Sequence, residues 1–259
     1  MSWAARRQLV IVLIMLAIAG FFFFLFYSPV IFTPATCSDG KQNGSETGID
    51  CGGSCVTLCS SEAQTPIVLW SRAFAVTPSV YNVVAYIENK NDAAVEAYPY
   101  EFRLYDAKGI FVTRVQGRAL VPPQGRYAIV ETGIGVGNAT ITRATFEFSD
   151  NHTPWTRIAD DIRTLHIATS SPALDKEDTV PTLTATLTNT SATVSLARIG
   201  VTAIVYDAQD NAINASKTIV PSLPASQSTQ VYFTWPKPLS AKAIRYEIIP
   251  VINVFGVGQ

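Results

Sequence analysis

Histidine is almost absent from this chain of 259 residues: there are two, His152 and His166. Neither belongs to a ligand-spaced cluster; His152 reads as a solvated connecting residue and His166 as the start of a strand. No nucleophile elbow, phosphate-cradling loop or His-Glu-x-x-His pair occurs. The run Gly133-x-Gly135-x-Gly137 lies between strand signals rather than opening a helix, so it is not read as a nucleotide site. Asp160-Asp161, an adjacent carboxylate pair, sits in a polar connecting stretch where solvation accounts for it. Charge is scarce as well, at 15% of residues, and balanced at 19 basic against 20 acidic. Without a basic stripe there is no electrostatic footprint for nucleic acid or an anionic surface. These absences point to a non-enzymatic protein that binds no nucleic acid.

One long apolar run stands against this background. Leu9 to Tyr27 is 19 residues without a charged side chain. As a helix it would extend roughly 28 Å, close to the hydrocarbon thickness of a bilayer. Only a helix satisfies its own backbone there. The run is longer than the apolar core of about 7–15 residues in a cleavable signal peptide. Thr33-Pro34-Ala35 is a poor cleavage site, so an uncleaved anchor is expected over 9–27. Cys37 follows Thr36 and does not read as a lipidated cysteine. Arg6 and Arg7 precede the run, whereas the first acidic residue after it is Asp39. The positive-inside rule then leaves residues 1–8 in the cytoplasm and the rest outside the plasma membrane.

After a linker over 28–36 comes a stretch, 37–59, with almost no apolar content, which cannot fold by burying a core. It holds all four cysteines: Cys37, Cys51, Cys55 and Cys59. On the exported side an even count reads as two disulfides, each stabilising by about 3 kcal/mol through loop closure. Four cysteines allow three pairings, all open here. Two metal readings compete. Cys51-x3-Cys55-x3-Cys59 has ligand spacing for zinc, which an oxidising compartment disfavours. Asp39, Asn43, Glu46 and Asp50 could surround calcium, or they are the Asx turns and solvated surface of a disulfide knot.

Beyond residue 66 the chain is Thr-, Val-, Ala- and Tyr-rich with spaced turn residues, the composition of short strands. It also repeats itself at an offset of 100–102 residues. Val83, Ala85, Ile87 and Asn89 are answered by Leu183, Ala185, Leu187 and Asn189. Tyr100-x-Phe102-x-Leu104-Tyr105-Asp106 is answered by Val201-x-Ala203-x-Val205-Tyr206-Asp207. Val121-Pro122 is matched by Leu223-Pro224, and Ala144 to Phe148 by Ile244 to Ile248. Six or seven strand signals per copy give the rhythm of an immunoglobulin-like sandwich. The expected fold is all-β, with two tandem immunoglobulin-like β-sandwiches over 66–150 and 163–252, joined by a linker at 151–162. Val83/Ala85/Ile87 and Tyr100/Phe102/Leu104 should form the first core. In the second the smaller set Leu183/Ala185/Leu187 and Val201/Ala203/Val205 would recover volume from Tyr232, Phe233 and Trp235. Trp155 is expected to pack in the seam between the copies or to stand exposed. Asp106 and Asp207 should cap hairpin turns, with Asn89 and Asn189 doing similar work at strand ends.

Two resemblances sharpen this. The stretch Cys37-x-Asp39-Gly40-x-x-Asn43-x-x-Glu46-Thr47-x-x-Asp50-Cys51-Gly52-Gly53-x-Cys55 resembles a small cysteine motif found beside membrane anchors and between domains of large surface proteins. Phe102-Arg103-Leu104-Tyr105-Asp106 resembles the FxLYD family of immunoglobulin-like domains on exported prokaryotic proteins. That family carries a strand-ending Asn before the signature and a Leu-Pro-Gly-like turn after it, places filled by Asn89 and Val121-Pro122-Pro123, and by Asn189 and Leu223-Pro224. The second copy departs from the signature at Ala203 and Val205. The resemblance implies a fold and a surface location, with no enzymatic activity and no defined ligand.

The expected protein is therefore single-pass and extracytoplasmic, with the bilayer and a protein or cell-surface partner as its contacts. It is either a structural or recognition module or an accessory subunit of an envelope, export or pilus complex. Asn-x-Ser/Thr sequons at Asn43, Asn138, Asn151, Asn189 and Asn214 offer glycosylation sites if the host has the machinery.

Overall fold

The computed structural model describes residues 3–31, 35–149 and 153–257. Helix α1 runs from Trp3 to Ile31. Its section Arg6–Ser28 is long and apolar enough to cross a membrane, and none of the described residues buries it. A helix with apolar side chains all round and no protein against it needs an apolar solvent.

The rest is β. The first sandwich consists of β2 (Ile67–Thr77), β3 (Val80–Asn89), β4 (Ala93–Asp106), β5 (Phe111–Val121), β6 (Gly125–Gly135) and β7 (Ile141–Phe148). They form the antiparallel sheets β2-β3-β6 and β5-β4-β7. Between them Val83, Ala85 and Ile87 of β3 meet Phe102 and Leu104 of β4, all fully buried. Tyr100, Phe102 and Phe146 add edge-to-face contacts. The period-2 alternation of a strand places these residues on one face.

The second sandwich repeats the plan with β9 (Ile167–Asp175), β10 (Thr182–Asn189), β11 (Leu196–Tyr206), β12 (Ala212–Leu223), β13 (Ser228–Thr234) and β14 (Arg245–Val251). Its sheets are β9-β10-β13 and β12-β11-β14. Leu183, Ala185 and Leu187 pack on Val201, Ala203 and Val205. Phe233 and Trp235 fill the volume that smaller side chains leave, as expected, but Tyr232 does not. It alternates out of register with Phe233 and is 56% exposed.

A third core lies between the sandwiches. The outer face of β2-β3-β6 contributes Phe74, Val84, Tyr86 and Val130; the outer face of β12-β11-β14 contributes Ile204, Tyr206, Ala215 and Ile249. Four sheets are thus stacked with three apolar layers between them. The two end faces are polar. On β10 the outer positions are Thr182, Thr184, Thr186 and Thr188; on β4 they include Glu101 and Arg103.

The cysteine segment is fastened to the first sandwich. Its strand β1 (Thr57–Leu58) pairs with β8 (Trp155–Arg157), which pairs in turn with Ala93 and Ala94 at the start of β4. The stretch expected to be a linker at 151–162 therefore contributes a strand to the first domain, and α2 (Asp160–Arg163) follows it. Trp155 lies in the first core against Tyr98, at 5.7 Å between rings, and not in the seam. The physical reason is local: Leu58 and Tyr98 offer its indole an apolar end to the sandwich before the chain reaches the second domain.

Candidate functional site

The disulfides are Cys37–Cys55 and Cys51–Cys59. Both tie the segment back on itself, and with the sulfurs bonded to one another the zinc reading fails for want of thiolates. Cys51-Gly52-Gly53 has a steric cause. Gly52 and Gly53 have φ of +76° and +53°, and a Cβ would fall 1.6 Å from Thr47 Oγ1 and 1.7 Å from the Ser45 carbonyl oxygen respectively. Only glycine fits there.

Of the four residues considered for calcium, Asp39, Glu46 and Asp50 hold backbone N–H groups and Asn43 holds the Asp39 carboxylate. Both carboxylate oxygens of Asp50 accept from Gly40 N–H. Asp39 accepts from Lys41 N–H at 2.9 Å and from Asn43 Nδ2 at 2.8 Å, and Glu46 accepts from Asn43 N–H. The bond from Asn43 holds the Asp39 carboxyl below the ordinary carboxylate range, against a smaller desolvation. Asn43 Oδ1 is the one buried side-chain oxygen still unpartnered among the described residues. The segment docks through Arg157, whose guanidinium donates to the carbonyls of Gly53 and Cys55, and through paired bonds between Gln64 and Asn91.

Asn89 and Asn189 are buried at equivalent places, each 1% exposed. Asn89 Nδ2 donates to the carbonyls of Ala93 and Pro122, while its Oδ1 accepts from Asn91 N–H. Asn189 Nδ2 donates to Val194, Leu223 and Pro224, and its Oδ1 accepts from Ser191 N–H. Each amide clamps the β3–β4 or β10–β11 loop to the proline turn of the opposite sheet. At those turns Gln124 and Ser226 occupy left-handed φ of 40° and 56°, where glycine is at ease. The two hairpin aspartates also match. Asp106 Oδ1 accepts from Lys108 and Ile110, Asp207 Oδ1 from Gln209 and Asn211. The bond from Asn211 N–H is the main cause of a lowered Asp207 pKa.

Of the sequons, Asn138 is exposed in the β6–β7 turn. Asn214 is half-buried and lines a cleft between the sandwiches. Asn43 and Asn189 have their amide nitrogens engaged, the latter out of reach of any enzyme while the domain is folded. Asn151 and His152 lie outside the described residues. His166 precedes β9, with its Nδ1 3.1 Å from Thr190 Oγ1.

What sequence reasoning missed is which residues form the seam. Tyr86 of the first sandwich and Tyr206 of the second both donate to the carboxylate of Glu247, Tyr206 at 2.8 Å. Burial, reinforced by that carboxylate, pushes both phenols well above their ordinary range, so they stay donors. Arg72 reaches across to the Ala212 carbonyl at 2.8 Å, and Arg245 stacks on Tyr206. On the far face of the first sandwich Glu101 is buried beneath Arg103 (2.5 Å) and Gln116 (2.6 Å). Desolvation works against its ionisation, but those two donors prevail and hold its pKa below the ordinary value. No known protein-family model and no characterised protein matches the chain.

Proposed function

We propose that this is a single-pass plasma-membrane protein whose β-domains lie outside the cytoplasm and act as one non-catalytic recognition unit. The observation that carries this is the third core: two sandwiches that bury side chains against each other present a fixed composite surface. Arg6 and Arg7 before α1 and the two disulfides beyond it support the orientation, since disulfides persist in oxidising compartments. The resemblance of Phe102–Asp106 to the FxLYD signature supports a place on a prokaryotic surface. A second reading, as an accessory subunit of an envelope or export complex, draws on Ile67, Val68 and Leu69. These are adjacent exposed apolar residues at the start of edge strand β2.

Cross-linking on intact cells followed by mass spectrometry tests both. Capture of one or two stoichiometric membrane proteins through Ile67–Leu69 would favour the accessory subunit. Capture of itself or of wall material would favour the free module. Cross-links from the sandwiches to cytoplasmic proteins would sink the topology and both readings with it.

A further inference from the structure

One flank of the seam is an open cleft of about 350 Å3. Its walls are edges: β5 pairs only with β4, β6 only with β3 and β12 only with β11. Its floor includes Ala128, Val130 and Gly200. Arg118 of β5, Arg198 of β11 and Lys217 of β12 stand around it, all exposed and without an ion pair among the described residues. The one acidic residue of the lining, Glu131, already accepts from Tyr100 Oη across Gly117, where a Cβ would lie 2.5 Å from that hydroxyl. The lining therefore carries an uncompensated positive charge.

Two details make the cleft more than a basic patch. Arg198 has φ of 51° inside a strand, a conformation that arginine adopts only when its surroundings hold it, and such outliers gather at ligand sites. Along β12, the Ala215 carbonyl is taken from outside the sheet by Trp235 Nε1, so one end of that edge is closed by the protein itself. Beyond it Lys217 and Ile219 lie on the uncovered stretch, Ile219 at 63% exposure, and Pro221, which has no N–H to offer, ends it.

We infer that this cleft binds an extended acidic peptide segment of a partner protein. The segment adds as a strand along the Lys217–Ile219 edge, with its carboxylates on Arg118, Arg198 and Lys217. A small anion would use neither the strand edge nor Ile219, and the three cations are spread over three strands of both sandwiches rather than converging on one point. An extended chain with carboxylates at alternate positions uses all of these. The inference rests on the recognition reading above and names what is recognised.

The test uses the full-length chain in detergent micelles, so that its result does not depend on topology in cells. Fluorescence anisotropy with a labelled decapeptide of alternating Glu and Val should show saturable binding, and its Lys/Val counterpart should show none. Arg118→Glu with Lys217→Glu should weaken the acidic peptide about tenfold or more and admit the Lys/Val peptide. Ile219→Glu, at a solvent-facing position, is the second variant should the double one fail to fold, and it should also weaken binding. N-methylation of alternate amides should abolish binding, because strand addition needs those N–H groups. Absence of saturable binding, or binding unchanged in the variants, overturns the site. Equal affinity for the methylated peptide, or tighter binding of inorganic polyphosphate than of the peptide, overturns strand addition.

Discussion

The third core predicts that Ile204 behaves as a core residue although it points away from the core of its own sandwich. Ile204 is fully buried, on the outer face of β11, among side chains of both domains. Ile204→Ala removes three carbons, worth roughly 2.4 kcal/mol at about 0.8 per methylene; with the cavity left behind the total is about 3 kcal/mol. For a protein of this size that is a fall of roughly 6–12 °C in Tm. Urea unfolding of the full chain in micelles, followed by tryptophan fluorescence, measures it. Thr186→Ala, on the outer face of β10 where no domain packs, should stay within about 0.5 kcal/mol. A double cycle of Ile204→Ala with Val84→Ala, across the seam, should show coupling of at least about 0.5 kcal/mol. If Ile204→Ala lost no more than about 1 kcal/mol, which β-propensity alone explains, the sandwiches would be energetically independent and the third core would contribute nothing.

Asn189→Ala would leave the carbonyls of Val194, Leu223 and Pro224 without their buried donor; a loss of about 3 kcal/mol is expected in the same assay, and a loss below about 1 would mean water replaces the amide readily. Asp39, Glu101 and Asp207 have lowered folded pKa values, so their contribution is complete above the unfolded carboxylate range and disappears as pH falls through the folded values. Urea midpoints should therefore drop below about pH 4, less steeply in Glu101→Gln, and a flat profile between pH 5 and 3 would contradict the assignment. Expressed in a glycosylating host, the chain should be modified at Asn138 and bare at Asn189. Peptide mapping by mass spectrometry reads this directly, and a glycan on Asn189 would mean that site opens before folding is complete.

The fold was legible because its signals are local. The threonine alternation of β10, the Tyr-Asp turns and the hundred-residue offset each need only a short window. The seam was also written in the sequence, in a form easily passed over. β10 alternates cleanly, but β3 reads Val-Val-Ala-Tyr-Ile through its centre and β11 reads Ala-Ile-Val-Tyr, so both carry apolar residues on each face. A strand apolar on both faces is buried on both. Parity assigned Val83 and Val205 to their cores and left Val84, Tyr86, Ile204 and Tyr206 without an explanation. What could not be read was long-range partnership. The acceptors of Asn89 include Pro122, 33 residues away, and Trp155 returns to a strand more than fifty residues earlier in the chain. The disulfide pairing is of this kind, since three connectivities share one spacing.

The seam joins unlike faces: β2-β3-β6 of one repeat against β12-β11-β14 of the next, a face whose counterpart in the first repeat is β5-β4-β7. Such a head-to-tail relation has no natural end, because each added sandwich would offer the next the same kind of face that its predecessor had offered to it. The two faces that would continue it are polar, a row of threonines on β10 and the Glu101–Arg103 lattice on β4. Those hydroxyls are in effect the full stop of the repeat. Replacing Thr184 and Thr186 with valine would remove it, turning a capped stack of two sandwiches into a unit that can add copies of itself end to end.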